Sequence, residues 1–175
     1  NCGTPIRIVN EAVGGMPAAT ARAQFADRVA PHAPRIVILH FGANDLRHDG
    51  ARGARPISTP EEFTAHLTAM TRACREIGAR VLLLGYHRCR RLLVLPTGLP
   101  YDEALRRYSD LARQVAEATG ADYLDVAATL DTVPAASWPD FVCEDGVHLS
   151  PLGLTLYGDL IATRLSEMVR ELVKC

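Results

Sequence analysis

The chain has 175 residues, the size of one domain with its own core. Its apolar content of 48% excludes a disordered chain, and a net charge of -1 gives no field for nucleic acid or a membrane surface. Uninterrupted aliphatic runs are short, as at Ile36-Val37-Ile38-Leu39, whereas a membrane span needs about 18 or more apolar residues.

Taken in chain order, four branched-aliphatic segments stand out, at residues 6–9, 35–41, 81–84 and 123–126. Each is nearly continuous in apolar residues rather than alternating, which predicts parallel strands covered on both faces. Helical patterns separate them. An alanine-rich helix is expected over 18–29. A stronger one over 59–77 opens with Thr59-Pro60-Glu61-Glu62, a capping box with proline at the first helical position. It places Phe63, Leu67, Met70, Cys74 and Ile77 on one face, and Gly78 supplies its stop. The next helix, over 102–119, buries Leu105, Tyr108, Leu111 and Val115 and ends at Gly120. The last starts at the N-cap Ser150, followed by Pro151, and turns Leu156, Leu160, Leu165, Met168 and Leu172 inward. Alternation of strand and helix predicts a three-layer α/β/α sandwich on a parallel sheet, as a single domain over residues 1–175. Long loops at 47–56, 87–100 and 131–146 are expected at the carboxyl edge of that sheet, where ligands bind in such folds.

The five cysteines, Cys2, Cys74, Cys89, Cys143 and Cys175, are odd in number and include no C-x-x-C pair. Free thiols with at most one disulfide are expected, and no metal site. The visible sequence opens with no charged-then-apolar leader; a processed leader would leave no trace, so the compartment stays open.

Three segments carry candidate chemistry. In Glu144-Asp145-Gly146-Val147-His148-Leu149-Ser150 the carboxylate lies three residues before the histidine, close enough to hold one ring nitrogen and leave the other free as a base. In His40-Phe41-Gly42-Ala43-Asn44-Asp45-Leu46-Arg47 a buried strand ends in a glycine turn that presents the Asn44 amide, a donor suited to an oxyanion. In Asn10-Glu11-Ala12-Val13-Gly14-Gly15-Met16-Pro17, Gly15 brings a bare N–H towards a ligand. Each alone is also what an incidental ion pair or an ordinary turn gives. Together, in this order and each after a predicted segment, they are more specific.

These segments resemble the second, third and fifth conserved blocks of the SGNH (GDSL-like) hydrolases, over essentially the whole chain. Asn10 to Gly15 resembles the glycine block, especially its form in acetylesterases. Gly42-Ala43-Asn44-Asp45 resembles G-x-N-D, in a stretch that also looks like the isoamyl acetate hydrolase-like branch. Asp145-Gly146-Val147-His148, with Leu149-Ser150 and Gly153, resembles D-G-x-H and its trailing glycine. The resemblance implies a flavodoxin-like sheet in the order 2-1-3-4-5. It implies an ester hydrolase with a Ser-His-Asp triad, His148 as general base and Asp145 as its orienting partner. Gly15 and Asn44 would be oxyanion-hole donors. The substrate would be a small-molecule or carbohydrate ester, with no cofactor, no nucleic acid and no membrane span. Acyl transfer to an alcohol would use the same residues.

The family's first, serine-bearing block has no counterpart. Ser58, Ser109, Ser137, Ser150 and Ser166 each fall before a helix, within one, at a cap or in a loop. Cys2 is a conceivable but poorly fixed substitute. The expectation is therefore that the central strand and its serine belong to a further segment of the same or another chain; a pseudoenzyme or binding module of the same fold is the alternative. Arg47 and Trp138 are candidates for the pocket wall, the latter equally for plain packing. Arg47 has an ion pair with Asp45 or Asp49 as its competing role, His40 is expected as a satisfied strand-end histidine, and His87-Arg88-Cys89-Arg90-Arg91 as a solvated basic loop or an anion contact.

Overall fold

The computed structural model describes residues 6–50, 53–130 and 140–173. The element order is α1 (Ala18–Ala23), α2 (Phe25–Arg28), a 3₁₀ turn (Ala30–His32), β1 (Ile36–Leu39), α3 (Pro60–Glu76), β2 (Arg80–Leu84), α4 (Tyr101–Thr119), β3 (Asp122–Leu124), α5 (Val126–Leu130) and α6 (Pro151–Val173). The strands form a parallel sheet in the order β1-β2-β3, with Leu39 opposite Leu83 and Leu84 opposite Leu124.

Side-chain alternation along the strands divides the core into two layers. Val37, Leu39, Val81 and Leu83 join Phe63, Leu67, Met70 and Cys74 of α3 and Leu105, Tyr108 and Val115 of α4. Leu82 and Leu84 point the other way, onto Val126 and Leu130 of α5 and Tyr157 and Met168 of α6. Helices on both faces of a parallel sheet make the α/β/α sandwich. α6 is also stapled across β2 and β3: Arg80 pairs with Asp122 at 2.9 Å and with Glu171 at 2.7 Å, and Arg164 pairs with Asp122.

Several expectations are corrected. Residues 6–9 are not a strand: they form no strand pairing among the described residues, and Ile6 and Ile8 are 69% and 84% exposed. An extended apolar segment becomes a strand only beside a hydrogen-bonding neighbour, and local propensity does not supply one. The 18–29 helix breaks at Gln24 into two short pieces. Ile77 is the C-cap of α3, where it is 40% exposed rather than buried. Of the five residues assigned to the inner face of α6, Met168 is fully buried, while Leu156, Leu160, Leu165 and Leu172 are half-buried. The third strand is shorter than expected, because Val126 already opens α5.

α3 begins where the sequence places it. Thr59 Oγ1 accepts from Glu62 N at 3.3 Å, and Glu62 Oε2 accepts from Thr59 N at 3.0 Å. This reciprocal cap sits next to Ser58, which anchors the turn after β1, so it sets that turn as well as the helix. Thr59→Ala should cost about 1 kcal/mol in urea denaturation, with the fold retained by far-UV circular dichroism.

Candidate active site

The turn at residues 141–150, just before α6, folds back on itself. Cys143 N donates to His148 O at 2.7 Å, Gly146 N to Cys143 O at 2.9 Å, and Ser150 N to Phe141 O at 3.0 Å. Ser150 caps α6 as expected, its Oγ accepting from Gly153 N at 3.1 Å and donating to Asp140 O. Gly146 has φ of +71°, and a β-carbon there would lie 2.7 Å from Arg91 N, so both backbone conformation and close approach require glycine.

Inside this turn Asp145 makes three hydrogen bonds, two of them to His148. Its Oδ1 accepts from Val147 N and His148 N, each at 2.9 Å, and its Oδ2 pairs with His148 Nδ1. The His148 hydrogen bond, then the two N–H donors, hold the Asp145 carboxyl well below the usual carboxylate range. An ionised Asp145 places the imidazole proton on Nδ1, a tautomer assigned from this network. Nε2 is then a lone-pair acceptor. It has no partner among the described residues, and the His148 side chain is 80% exposed. The pair is thus arranged as a base and its orienting carboxylate.

The loop after β2 braces this turn from the side. Arg90 N donates to Gly146 O at 2.7 Å, and His87 Nε2 hydrogen-bonds Val147 O at 2.8 Å. That loop is itself held by α4: Tyr86 N donates to Ser109 Oγ at 3.0 Å and Cys89 N to Asp102 Oδ1 at 2.7 Å. His87 and Cys89 are buried while Arg88, Arg90 and Arg91 are exposed, so the basic loop is a structural brace with a charged outer face. Nothing in its composition foretold the brace; the alternation of charged with buried residues was the available signal. Arg90 also lines a cavity of about 330 Å³ with Val142, Cys143, Glu144 and Gly146, directly beside the turn.

Asn44 lies in the turn after β1, half-buried, and its amide makes no hydrogen bond to the described residues. Its neighbour Asp45, the last residue of the G-x-N-D-like segment and one of two candidate partners for Arg47, is fully buried. Asp45 Oδ1 accepts from Ser58 Oγ at 2.7 Å and from Ala18 N at 3.0 Å. Burial pushes the Asp45 carboxyl up, against the lowering by these two bonds. The ion pair with Arg47 is therefore not formed; Arg47 is exposed, and its carbonyl accepts from Ile57 N at 2.7 Å. Through Ala18, Asp45 also ties the Asn44 turn to the segment of Gly15. Gly15 has φ of +80° in an exposed turn, and its N–H donates to nothing among the described residues.

His40 follows β1 and is satisfied, as expected: Tyr157 Oη lies 3.3 Å from its Nε2 and donates to Gly85 O at 3.0 Å. Burial, then the repulsion that a protonated His87 would add, lowers His40 to about 4, which keeps it neutral. Ser58 is buried on Asp45, Ser109 and Ser166 bond the carbonyls of Leu105 and Ala162 in their helices, and Ser150 is the cap. No serine among the described residues stands free at a strand end; Ser137, Trp138, Cys2 and Cys175 lie outside those residues. Cys74 and Cys89 are free but buried, and burial pushes both thiols up to about 12, so neither is a nucleophile. Cys143 is free and exposed. No group of metal ligands occurs among the described residues, and no described helix is long and apolar enough to cross a membrane.

The model of the GDSL-like Lipase/Acylhydrolase family matches residues 3–156. The chain belongs to that family. Esterase TesA of Pseudomonas aeruginosa is 32% identical over 83 residues, 47% of this chain and 37% of that protein, so the match spans little more than a third of the relative's length. Solved structures that share the fold include the following three. A lipase/acylhydrolase from Enterococcus faecalis is 23% identical with a TM-score of 0.69, covering 88% of this chain and 72% of that one. The acetyl xylan esterase AlAXEase is 20% identical with a TM-score of 0.71, covering 87% and 77%. Axe2, an acetylxylan esterase from Geobacillus stearothermophilus, is 19% identical with a TM-score of 0.69, covering 87% and 69%.

The Asp45 anchor makes a contrast that stability measurements can read. Asp45→Ala leaves Ser58 Oγ and Ala18 N unsatisfied in the interior and should cost roughly 1–3 kcal/mol. Asp45→Asn keeps the acceptor oxygen and should cost less. Because the folded value of Asp45 is raised, its contribution is full below the usual carboxylate range and is lost as pH rises through the raised value. Wild type should therefore lose ground to Asp45→Asn as pH rises through that window, measured by urea unfolding at a series of pH values.

Proposed function

We propose that this chain supplies the acid–base and oxyanion parts of an ester hydrolase that cleaves a small acyl ester, an O-acetyl group on a carbohydrate or other alcohol. The observation that carries the reading is the His148–Asp145 pair: an ionised carboxylate on Nδ1, an open Nε2, and a turn built to hold both. Membership of the GDSL-like lipase/acylhydrolase family and the acetylxylan esterase neighbours support the same chemistry.

In this mechanism a serine hydroxyl attacks the ester carbonyl. His148 Nε2 takes the hydroxyl proton and returns it to the departing alcohol oxygen, giving an acyl-serine. Water then attacks the acyl carbonyl, with His148 again accepting a proton and restoring it to the serine. Asp145 remains a carboxylate throughout and stabilises the imidazolium. The Gly15 N–H and the Asn44 amide, both without partners among the described residues, donate to the carbonyl oxygen as its negative charge develops.

The serine is assigned to a strand from outside the described residues that pairs with the free edge of β1. Among the described residues β1 has a neighbour on one side only, Ile38 on it is 40% exposed, and Ile6, Ile8 and Val9 present further uncovered apolar surface. An unpaired, apolar edge in a sheet covered by helices is a place where another strand binds. The absence of a free serine among the described residues favours a second reading, a non-catalytic module of the same fold.

A fluorophosphonate probe on the full protein separates the two. Labelling of one serine, abolished in His148→Ala and mapped by peptide mass, supports the hydrolase. An unlabelled, folded protein supports the non-catalytic module. In the active protein, Asn44→Ala should lower kcat for an acetyl ester by about 10²–10³ with KM little changed. Unaltered kcat would remove Asn44 from the oxyanion hole, and acyl transfer to an added alcohol would appear as a second product.

A further inference from the structure

The brace after β2 meets the His148 turn at particular peptide units. The peptide between Val147 and His148 is planar, so its carbonyl and its N–H move together. Its N–H donates to Asp145 Oδ1 at 2.9 Å, and its carbonyl lies 2.8 Å from His87 Nε2. The preceding peptide, between Gly146 and Val147, is held the same way: its N–H donates to Asp145 Oδ1 at 2.9 Å and its carbonyl accepts from Arg90 N at 2.7 Å. Two consecutive planes are thus clamped at both ends, by the Asp145 carboxylate on one side and residues 87–90 on the other. Fixing these planes fixes the direction in which the His148 side chain leaves the backbone.

We propose that His87 is a positioning residue for His148: its neutral ring, protonated on Nε2, holds the Val147 carbonyl and so keeps the His148 imidazole on Asp145 with Nε2 open. This deepens the hydrolase reading of the same site, since it is useful only if His148 acts as a base. It is a side-chain bond that reaches this turn from another element. His87 is 7% exposed, and its Nδ1 is buried without a partner. A proton on Nδ1 would be an unsatisfied buried donor, so the ring stays neutral and keeps its single proton for the carbonyl. The groups around it fit that state. Burial, then the repulsion that a protonated His148 would add, lowers His87, against the opposing influence of the Val147 bond and of Asp102. Tyr157 packs edge-on against the ring with centroids 5.8 Å apart, and His40, whose ring also packs on Tyr157, is itself neutral.

The test reads His148 directly and needs no turnover, so it stands apart from the labelling experiment above. Two-bond nitrogen–proton NMR correlations report which ring nitrogen of His148 carries the proton, and carbon-13 titration reports the Asp145 carboxyl. In the wild type the Nδ1–H form of His148 should dominate. His87→Leu removes the donor: the His148 population should move towards Nε2–H, and the Asp145 midpoint should rise by about 0.5–1 unit. His87→Gln, whose side-chain amide reaches the same carbonyl, should restore the wild-type pattern. Should the leucine protein not fold, His87→Asn, with its donor too short to reach, gives the same readout. A folded Leu or Asn variant with wild-type His148 tautomer and Asp145 titration overturns the proposal, as does a Gln variant that behaves like Leu. A purely structural role would lower thermal stability and leave both NMR signatures in place.

Discussion

The arrangement depends on one carboxylate. Asp145 accepts two backbone N–H groups and the His148 imidazole, and in doing so it defines a turn, a tautomer and an open base at once. A carboxylate with three donors is strongly biased to its charged form. That charge matters here because both residues are exposed, where a lone surface ion pair contributes little. What makes this pair durable is the backbone: the N–H donors are those of Val147 and His148, and the carbonyls of the same two peptide units, Gly146 O and Val147 O, are held in turn by the loop after β2.

That loop connects the turn to the sheet. β2 lies in the middle of the sheet, buried on both faces, and its carboxyl end leads directly into Tyr86, His87 and Cys89. α4 holds this segment through Ser109 and Asp102, so packing of a long helix is transmitted to the His148 turn through backbone hydrogen bonds. On the other flank, buried Asp45 joins the turn after β1 to Ser58 and the start of α1. Rigid core elements thus end in two anchored turns, one carrying His148 and one carrying Asn44. Support of this kind is what holds reactive groups in place before a substrate arrives.

Much of this was legible in the sequence, and for identifiable reasons. The capping box at Thr59, the strand at 81–84 and the Ser150 cap are local features, determined by residues within a few positions, and the structure forms them where expected. The Asp145–His148 pairing was legible for the same reason, since three residues separate the partners. Misreadings came where the deciding partner is distant. Residues 6–9 have strand composition but no neighbour among the described residues. Asp45 looked like a turn residue or a partner for Arg47, because its real donors are 13 and 27 positions away. His87 looked like part of a solvated basic loop, although the carbonyl it holds lies 60 residues on. Periodicity reports which face is apolar; it does not report which buried polar atoms meet.

In the hydrolase proposed above, His148, Asn44 and Gly15 converge on one reacting group. The most direct measurement is a crystal structure of the full protein after reaction with a small organophosphate such as diethyl p-nitrophenyl phosphate. The account predicts a phosphoryl group on a serine whose Oγ lies about 3 Å from His148 Nε2, with the phosphoryl oxygen at a similar distance from the Asn44 amide and the Gly15 N–H. A phosphorylated residue away from His148, or a phosphoryl oxygen that neither Asn44 nor Gly15 reaches, would contradict it.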